Sequence, residues 1–497
     1  MKNLKFPTAH TILMAITGMV ALMTWIIPAG KYDKLLFDDS AHAFILTKNE
    51  KKINLPARQE TLDSLQVNIP LAKFEDGSIW KPINIPGSYQ TVEAHPQGVG
   101  AFLLAPIKGI INAADLIFMV LLIGGLIGIM NITGAFEAGI SFFARKLSGK
   151  EYLLIIIITA LCAIGGTTYG MSEETIAFLP ILIPVFLVAK YDTIIPVAAT
   201  YLGTSIGYMC SVINPFSVII ASDTAGVDWT VGMYGRIFMF VAVTLIAVLY
   251  LLWYARRIKR DPEKSLVYQE VQQLSTLYVR KEDPHKKLTH RLKLIILIFT
   301  LTFGVMIFGV IALDWWFLEM SPVFMVGAVA IAIVARIKES VFVDYFIKGA
   351  ADLLGVALII GIARGISVLM DEGLISDTIL YYASNATEGM NKGLFSNVLI
   401  FIYSGLAFFI PSSSGMAMLT MPIMAPLADT VNIGRETIVD AYLYGMGLFS
   451  FISPTGILLP SLAIVKVGYN KWIKFVLPLL AIVTVFTVIA NTILVYL

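Results

Sequence analysis

Residues 165–174 read Gly-Gly-Thr-Thr-Tyr-Gly-Met-Ser-Glu-Glu and interrupt an otherwise apolar stretch of this 497-residue chain. The apolar runs on either side, 153–164 and 175–189, are each too short to cross a bilayer, because a helical crossing needs roughly 20 apolar residues. A polar segment is tolerated at bilayer depth only where protein or a watery cavity surrounds it. The pattern therefore predicts a re-entrant helical hairpin over residues 152–189, whose residues 165–174 we call the first tip.

The second half of the chain repeats the first. An Ala-Ala-Asp-Leu block at 113–116 recurs at 350–353. Two pairs of glycines follow these blocks at the same offset: Gly124 and Gly128, then Gly361 and Gly365. Further on, prolines spaced as at 180–184 recur at 422–426, which aligns the first tip with Pro-Ser-Ser-Ser-Gly at 411–415, the second tip. A second hairpin is therefore predicted over residues 395–428.

Each half also contains a predicted helix break. Proline removes a backbone donor and frees carbonyls in the preceding turn, so breaks are expected at Ile-Asn-Pro-Phe 213–216 and Ile-Ser-Pro-Thr 452–455. Counted from a cytoplasmic N-terminus, the first hairpin enters from the cytoplasm and the second from the opposite side. The expected fold class is an all-α polytopic membrane protein with two inverted-topology repeats, and about nine full crossings plus two hairpins.

Composition and charge agree with a chain solvated by lipid. Hydrophobic residues make up 57% of the sequence, charged residues 14%, and the mean hydropathy is +0.80. Basic residues are concentrated before the first span, at 145–150 and within 256–293, which marks these parts as cytoplasmic by the positive-inside rule. They form no interleaved basic and aromatic surface, so no nucleic-acid partner is expected. The expected location is a bacterial-type inner membrane, with the N-terminus cytoplasmic.

Five parts are expected along the chain. They are a first transmembrane helix at 1–30, an extracytoplasmic loop at 31–96, the first repeat at 97–255, a basic cytoplasmic linker at 256–293, and a linking helix with the second repeat at 294–497. The first segment could instead be a secretory signal, but Pro-Ala-Gly at 28–30 is a poor cleavage site, which favours an uncleaved helix.

The tips and breaks carry polar residues that could bind a solute or an ion. Glycines permit unusual backbone angles, and hydroxyl and amide oxygens are ligands for a small hard cation. The candidate solute-binding residues of this kind are Thr167, Thr168, Gly170, Ser172, Ser412, Ser413, Ser414 and Gly415. The candidate cation sites are Gly166, Ser172 and Asn214 in the first half, and Ser414, Ser453 and Thr455 in the second. The alternative is that these residues only satisfy the backbone of the hairpins.

Three charged residues complete the candidate solute site. Glu173 and Glu174 are expensive beside a membrane hairpin unless they are paired, hydrated or protonated. They could bind a coupling cation, carry a proton or meet an ammonium group of the solute, or one of them could brace its own hairpin. Arg364 interrupts an apolar run, and its guanidinium suits a carboxylate of the solute or, alternatively, of Glu173 or Glu174.

Other functional classes have weaker support. Gly-Thr-Ser-Ile-Gly at 203–207 fits a nucleophile-elbow pattern, but it lies in a predicted membrane helix instead of a strand-turn-helix. The sequence has no Walker loop, which argues against an ATP-driven pump. We therefore expect no enzyme and no cofactor, with Na+ or H+ as the possible coupling ion. An ion channel, which would need a continuous pore, is the alternative from a different class.

The tips, the breaks and the long first loop together resemble the YfcC-like branch of the C4-dicarboxylate anaerobic carrier family, within the ion transporter superfamily. The resemblance runs over nearly the whole chain. It implies a homodimer in which a transport domain moves like an elevator against a fixed scaffold. It also implies that the solute lies between the tips and that cations lie between each tip and the nearby break. Carried over by position, it implicates Thr167, Thr168, Ser172, Asn214, Ser413, Ser414, Ser453 and Thr455.

The tips depart from the Ser-Asn-Thr tips of sodium-coupled dicarboxylate carriers, since they read Ser-Glu-Glu and Ser-Ser-Ser-Gly. This departure puts sodium coupling and a dianionic solute in doubt. The YfcC-like branch is described as basic amino acid antiporters, and an acidic pair suits a cationic amino acid. The expected function is secondary active transport of a small carboxylate-bearing solute, namely an amino acid, and the resemblance implies antiport of a basic amino acid. The alternative is an ion-coupled C4-dicarboxylate transporter.

Overall fold

Helices dominate the computed structural model, which describes residues 7–48, 51–135, 138, 150–272, 289–313, 315, 317–387 and 389–496. Within these ranges, eight helices are long and apolar enough to cross a membrane: Ala9–Ile26, Ala114–Thr133, Met233–Arg260, His290–Gly309, Phe317–Ala335, Leu354–Glu372, Lys392–Phe409 and Tyr469–Tyr496. The predicted class, a helical multi-pass membrane protein, is confirmed. Part of the predicted basic linker, residues 273–288, lies outside the described residues.

The eight spanning helices can be matched to the crossings and hairpins that the sequence predicts. Seven of the eight are uninterrupted crossings of the prediction, and the eighth, Lys392–Phe409, is the first arm of the second predicted hairpin. The two remaining predicted crossings are the broken helices, neither of which has a single segment of sufficient length. Three shorter helices lie between these spanning helices in the sequence: Val99–Asn112, Glu339–Asp352 and Ser376–Asn385.

The first hairpin has arms at Tyr152–Thr168 and Thr175–Val188. Its first arm ends because Gly170 adopts a left-handed conformation with φ of +83°, which a residue with a side chain rarely takes. The carbonyl of Gly165 accepts hydrogen bonds from the backbone N–H groups of Gly170 and Met171, both at 3.1 Å. These bonds close the last turn of the arm and turn the chain toward the second arm.

The second hairpin has arms at Lys392–Phe409 and Ser413–Thr430. Ser412 is the N-cap of the second arm, and its hydroxyl accepts a hydrogen bond from the N–H of Gly415 at 3.3 Å. The two helices meet at the hydroxyls of Thr420 and Tyr403, which lie 3.4 Å apart and at a similar distance from the tip. The second hairpin remains a prediction, which this contact supports.

Both predicted breaks interrupt helices. The first lies between Ile194–Met209 and Pro215–Ile219, which continues as Ile220–Ala225. Asn214 caps the resumed helix, since its side-chain oxygen accepts from the N–H of Phe216 at 2.8 Å and Pro215 takes the first helical position. The second break lies between Glu436–Ser450 and Leu458–Ile464.

Reciprocal glycine contacts join the two halves. A Cβ added to Gly109 would lie 2.1 Å from the carbonyl oxygen of Gly361. Gly349 follows a lysine and precedes the Ala-Ala-Asp-Leu block, as Gly109 does in the first half, and a Cβ added to it would lie 2.2 Å from the carbonyl oxygen of Gly124. If a two-fold axis relates the two halves of the chain, each contact between them occurs twice, with the residues of the two halves exchanged. The inverted repeat remains a prediction, and these contacts support it.

The segment at 31–96, predicted only as a loop, is a small β-containing unit that we call the cap. Its strands are Gly30–Lys31, Lys34–Asp38, Ala43–Lys48, Lys51–Pro56, Ile83–Asn84 and Gln90–Thr91. Four of them form an antiparallel sheet, and its register pairs Leu35 with Leu46 and Phe37 with Phe44. Phe44 and Leu46 are buried on alternate positions of one strand, as expected for a sheet covered on one face. The expectation of an all-α chain did not include these strands.

Candidate functional site

Both tips line one cavity of about 440 Å³. The predicted site residues on its wall are Gly170, Ser172, Glu173, Glu174, Asn214, Arg364, Ser412, Ser413, Ser414, Ser453 and Thr455. Four other predicted residues are not on this wall: Gly166, Thr167, Thr168 and Gly415. The structure thus brings together the two tips, both breaks and Arg364, which are distant in sequence.

Three of the residues outside the cavity wall hold the first half together. The hydroxyl of Thr167 donates to the carbonyl of Cys210 and accepts from the N–H of Val212, both at 2.9 Å, so it ties the tip to the break. The hydroxyl of Thr168 donates to a carbonyl of its own helix at 2.7 Å. Gly166 lies against the broken helix, where an added Cβ would be 2.5 Å from the carbonyl oxygen of Thr204. These contacts favour the alternative that the residues satisfy and pack the hairpin.

Two residues of the first candidate cation site, Gly166 and Asn214, are joined by a hydrogen bond. The side-chain NH2 of Asn214 donates to the carbonyl of Gly166 at 2.9 Å, and its oxygen accepts from Phe216. Each of these two oxygens keeps a second lone pair, so Gly166 and Asn214 remain candidate cation ligands. In the second candidate site the hydroxyls of Ser453 and Thr455 are hydrogen-bonded to each other at 3.1 Å, and both residues are buried and line the cavity. Both oxygen sets therefore remain candidate cation ligands.

The two adjacent glutamates have different environments. Glu174 is buried, and its carboxylate accepts from the backbone N–H of Ser172 at 2.8 Å at the start of the hairpin's second arm. There it also interacts favourably with the positive end of the helix dipole. Glu173 is only partly buried and reaches the cavity, and its carboxylate has no hydrogen bond or ion pair with another described residue. Glu174 braces its own tip, whereas Glu173 is available to a solute.

Arg364 faces the cavity from the spanning helix Leu354–Glu372. It is partly buried, and its guanidinium makes no ion pair or hydrogen bond with any other residue that the structure describes. The internal salt bridge to Glu173 or Glu174, considered as an alternative from the sequence, is not formed. The guanidinium is therefore open to a carboxylate that enters the cavity.

Sequence reasoning missed Trp80 and Lys81, which the cap contributes to the cavity wall. The ammonium of Lys81 donates to the hydroxyl of Ser414 at 3.2 Å and lies 4.3 Å from the centre of the Trp80 ring. Burial, followed by repulsion from the positive Arg364, lowers the pKa of Lys81 below its ordinary value. No signal in the sequence pointed to this residue, because it lies in a polar segment far from both tips.

The charges of the cavity are arranged in two regions. Lys81 and the start of a helix at Ser413 lie at the second tip, with Arg364 nearby, and all favour a negative group. Glu173 lies at the first tip and favours a positive group. At the first tip, Glu174 already occupies the helix start, so an anionic solute group is better placed at the second tip. The cavity can bind a small molecule that carries a carboxylate and an ammonium group.

A multi-pass helical membrane protein in which two polar tips line one cavity belongs to the class of membrane transporters. The chain belongs to the C4-dicarboxylate anaerobic carrier family, whose sequence model matches residues 6–496. This family consists of transporters and not of enzymes, as the sequence indicated.

Two relatives and one solved structure are similar over most of the chain. A Haemophilus influenzae protein, named only "Uncharacterized protein", is 40% identical over 486 residues, covering 96% of this chain and 95% of the relative. The "Putative basic amino acid antiporter YfcC" of Escherichia coli is 28% identical over 491 residues, covering 94% and 92%. The YdaH transporter of Alcanivorax borkumensis has 12% identity and a TM-score of 0.40, with 98% of each chain covered.

Proposed function

We propose that this chain is a secondary active transporter that moves an amino acid across the bacterial inner membrane. One observation carries this proposal. Arg364 and Glu173 both line the cavity between the tips, and neither forms an ion pair with another residue that the structure describes. An amino acid offers the complementary pair, a carboxylate for Arg364 and an ammonium for Glu173. The name of the Escherichia coli relative supports exchange of a basic amino acid as the form of transport.

The proposed mechanism is alternating access of the elevator type. The tips and breaks enclose the solute and move together, while the glycine-packed helices that include Gly109 and Gly349 form the scaffold. The proposed protein is a homodimer. Its N-terminus is placed in the cytoplasm, because the basic segments of the sequence mark the cytoplasmic side. The hydroxyls of Ser414, Ser453 and Thr455 are the proposed ligands of a coupling Na+, and the partly buried Glu173 is the proposed carrier if the coupling ion is H+.

Transport of a C4-dicarboxylate is the second candidate, favoured by a specific observation. Lys81 and Arg364 put two positive charges on the same cavity, which suits a solute with two carboxylates. The name of the family describes such solutes. Glu173 opposes this candidate, because an unpaired carboxylate in the cavity repels a dianion.

Uptake by the purified protein in proteoliposomes separates these candidates. Arginine, ornithine, aspartate and succinate are offered in turn, with sodium and proton gradients imposed separately. The proposal expects gradient-driven uptake or exchange of at least one amino acid, with succinate competing poorly. Efficient succinate uptake that the amino acids do not inhibit would establish the second candidate instead. No transport of any of the four would remove the proposed function.

Glu173→Gln is expected to reduce transport of an ammonium-bearing solute at least tenfold, through a higher KM, because it removes the free carboxylate of the cavity. Glu174→Gln is the matched control. Its amide oxygen can still accept the hydrogen bond from Ser172, so a smaller loss is expected. Initial uptake rates over a range of solute concentrations give the KM of each variant. Equal losses in both variants would contradict the separate roles of the two glutamates.

A further inference from the structure

Lys81 reaches the site from outside the membrane helices. It lies in the cap between the short helix Ala72–Glu75 and the strand Ile83–Asn84, yet its ammonium touches Ser414 at the second tip. The side chain is partly buried. A surface lysine of a translocated loop would ordinarily point into water, so this position requires a cap that is fixed against the transport helices.

The cap is held in this position by buried polar contacts. Asn84, three residues after Lys81, is fully buried, and its amide donates to the carbonyl of Leu419 at 3.2 Å and to Asp377 at 3.1 Å. Leu419 belongs to the second arm of the second hairpin. On the other side, Lys73 forms an ion pair of 2.9 Å with the buried Asp223 of the first broken helix. These contacts fix Lys81 over the cavity.

Lys81 and Arg364 form an unusual pair of like charges. Each lines the same cavity, and neither has a carboxylate within ion-pair distance in the part of the chain that the structure describes. Two neighbouring cations that are partly shielded from water repel each other, and an anion placed between them removes that cost. The Ser414 hydroxyl and the helix start at Ser413 add hydrogen-bond donors at the same place.

We propose that Lys81 is a specificity-determining residue of the solute site, and that it binds the solute carboxylate together with Arg364. The inference rests on the proposed function and extends it, because it makes the cap part of the binding site. The cap then selects solutes with a carboxylate over amines of the same size. It also covers one side of the bound solute, and its bonds to the second hairpin and to the first broken helix keep Lys81 beside Ser414.

The test measures KM for uptake in proteoliposomes, with whichever of arginine, ornithine, aspartate or succinate the wild type transports. Lys81→Gln is expected to raise KM at least fivefold. Lys81→Arg keeps the positive charge, so it is expected to raise KM less than fivefold. Lys52→Gln is the matched control, since Lys52 is an exposed lysine of the same cap. If the wild type transports a solute and Lys81→Gln changes its KM less than fivefold, the proposed role of Lys81 is wrong and the proposed function still stands. A wild type that transports none of the four would overturn the proposed function and this inference together.

The pH dependence of KM provides a readout that a merely structural lysine would not change. The carboxylates that face Lys81 across the cavity are Asp115, Glu173 and Glu174, and the facing cation is Arg364. Since the pKa of Lys81 is lowered, its positive charge is lost at a lower pH than that of an exposed lysine, and KM is expected to rise with pH in the alkaline range. Lys81→Arg should flatten this rise, because arginine stays protonated. An identical alkaline profile in both proteins would count against the inference.

Discussion

Gly109→Ala is expected to prevent accumulation of folded protein. Its new Cβ would lie 2.1 Å from the carbonyl oxygen of Gly361 and 2.4 Å from the backbone nitrogen of Gly365, and backbone atoms of packed helices cannot move aside as a side-chain end can. Overpacking of this kind costs about 1–3 kcal/mol or more in a well-packed core. The yield and melting temperature of detergent-purified protein are the measurements.

The same helix supplies a matched control for this prediction. Gly100 lies in Val99–Asn112 together with Gly109, but an added Cβ there meets nothing within 4 Å. Gly100→Ala should therefore melt as the wild type does. By the reciprocal contacts, Gly349→Ala should fail as Gly109→Ala does. A Gly109→Ala protein with the melting temperature of Gly100→Ala would show that the two halves do not pack through these glycines.

Asp440→Leu is expected to destabilise the protein by about 3–5 kcal/mol, because it leaves a buried charge without its partner. Arg236 is fully buried, and its guanidinium donates to Asp440 at 3.0 Å, to the carbonyl of Val231 at 2.9 Å and to the carbonyl of Trp229. These bonds connect the spanning helix Met233–Arg260 to the second broken helix. Thermal melting in detergent measures the loss.

An exposed ion pair in the same region provides the comparison. Arg435 and Asp429 also form an ion pair, but 56% of the Asp429 side chain is exposed. Exposed pairs contribute about 0–1 kcal/mol, so Asp429→Asn should change the melting temperature little. The double variant Arg236→Met with Asp440→Leu should recover part of the stability, since it removes both buried charges. Equal effects of Asp440→Leu and Asp429→Asn would contradict the importance of the buried pair.

The elements that the sequence predicts well are those with a local physical cause. The polar first tip and the Asn214-Pro215 break stand out because lipid cannot satisfy polar or freed backbone groups. Composition likewise predicts the helical membrane class, which does not depend on tertiary contacts. The short strands of the cap were missed because each has at most six residues and several have only two.

The charged and polar site residues could be predicted as candidates, but their roles depend on tertiary contacts. Glu173 and Glu174 are neighbours of the same type, and the burial of Glu174 and its bond from Ser172 distinguish them. Asn214 is a candidate cation ligand from the sequence, and the structure adds that its amide NH2 donates to the carbonyl of Gly166. The sequence gives no indication that Lys81 belongs to the site. Lys81 and Ser414 are 333 residues apart in the chain, and only the packing of the cap brings them together.

The claim that both tips enclose one solute is tested most directly by thiol labelling of single cysteines placed at Ser172 and at Ser413. The two natural cysteines, Cys162 and Cys210, are buried and should give little background. A cysteine at Ser64, an exposed position of the cap, is the control. We expect a transported solute to slow labelling at both tips and to leave the control unchanged. Protection at one tip alone, or at neither, would contradict a shared site between the tips.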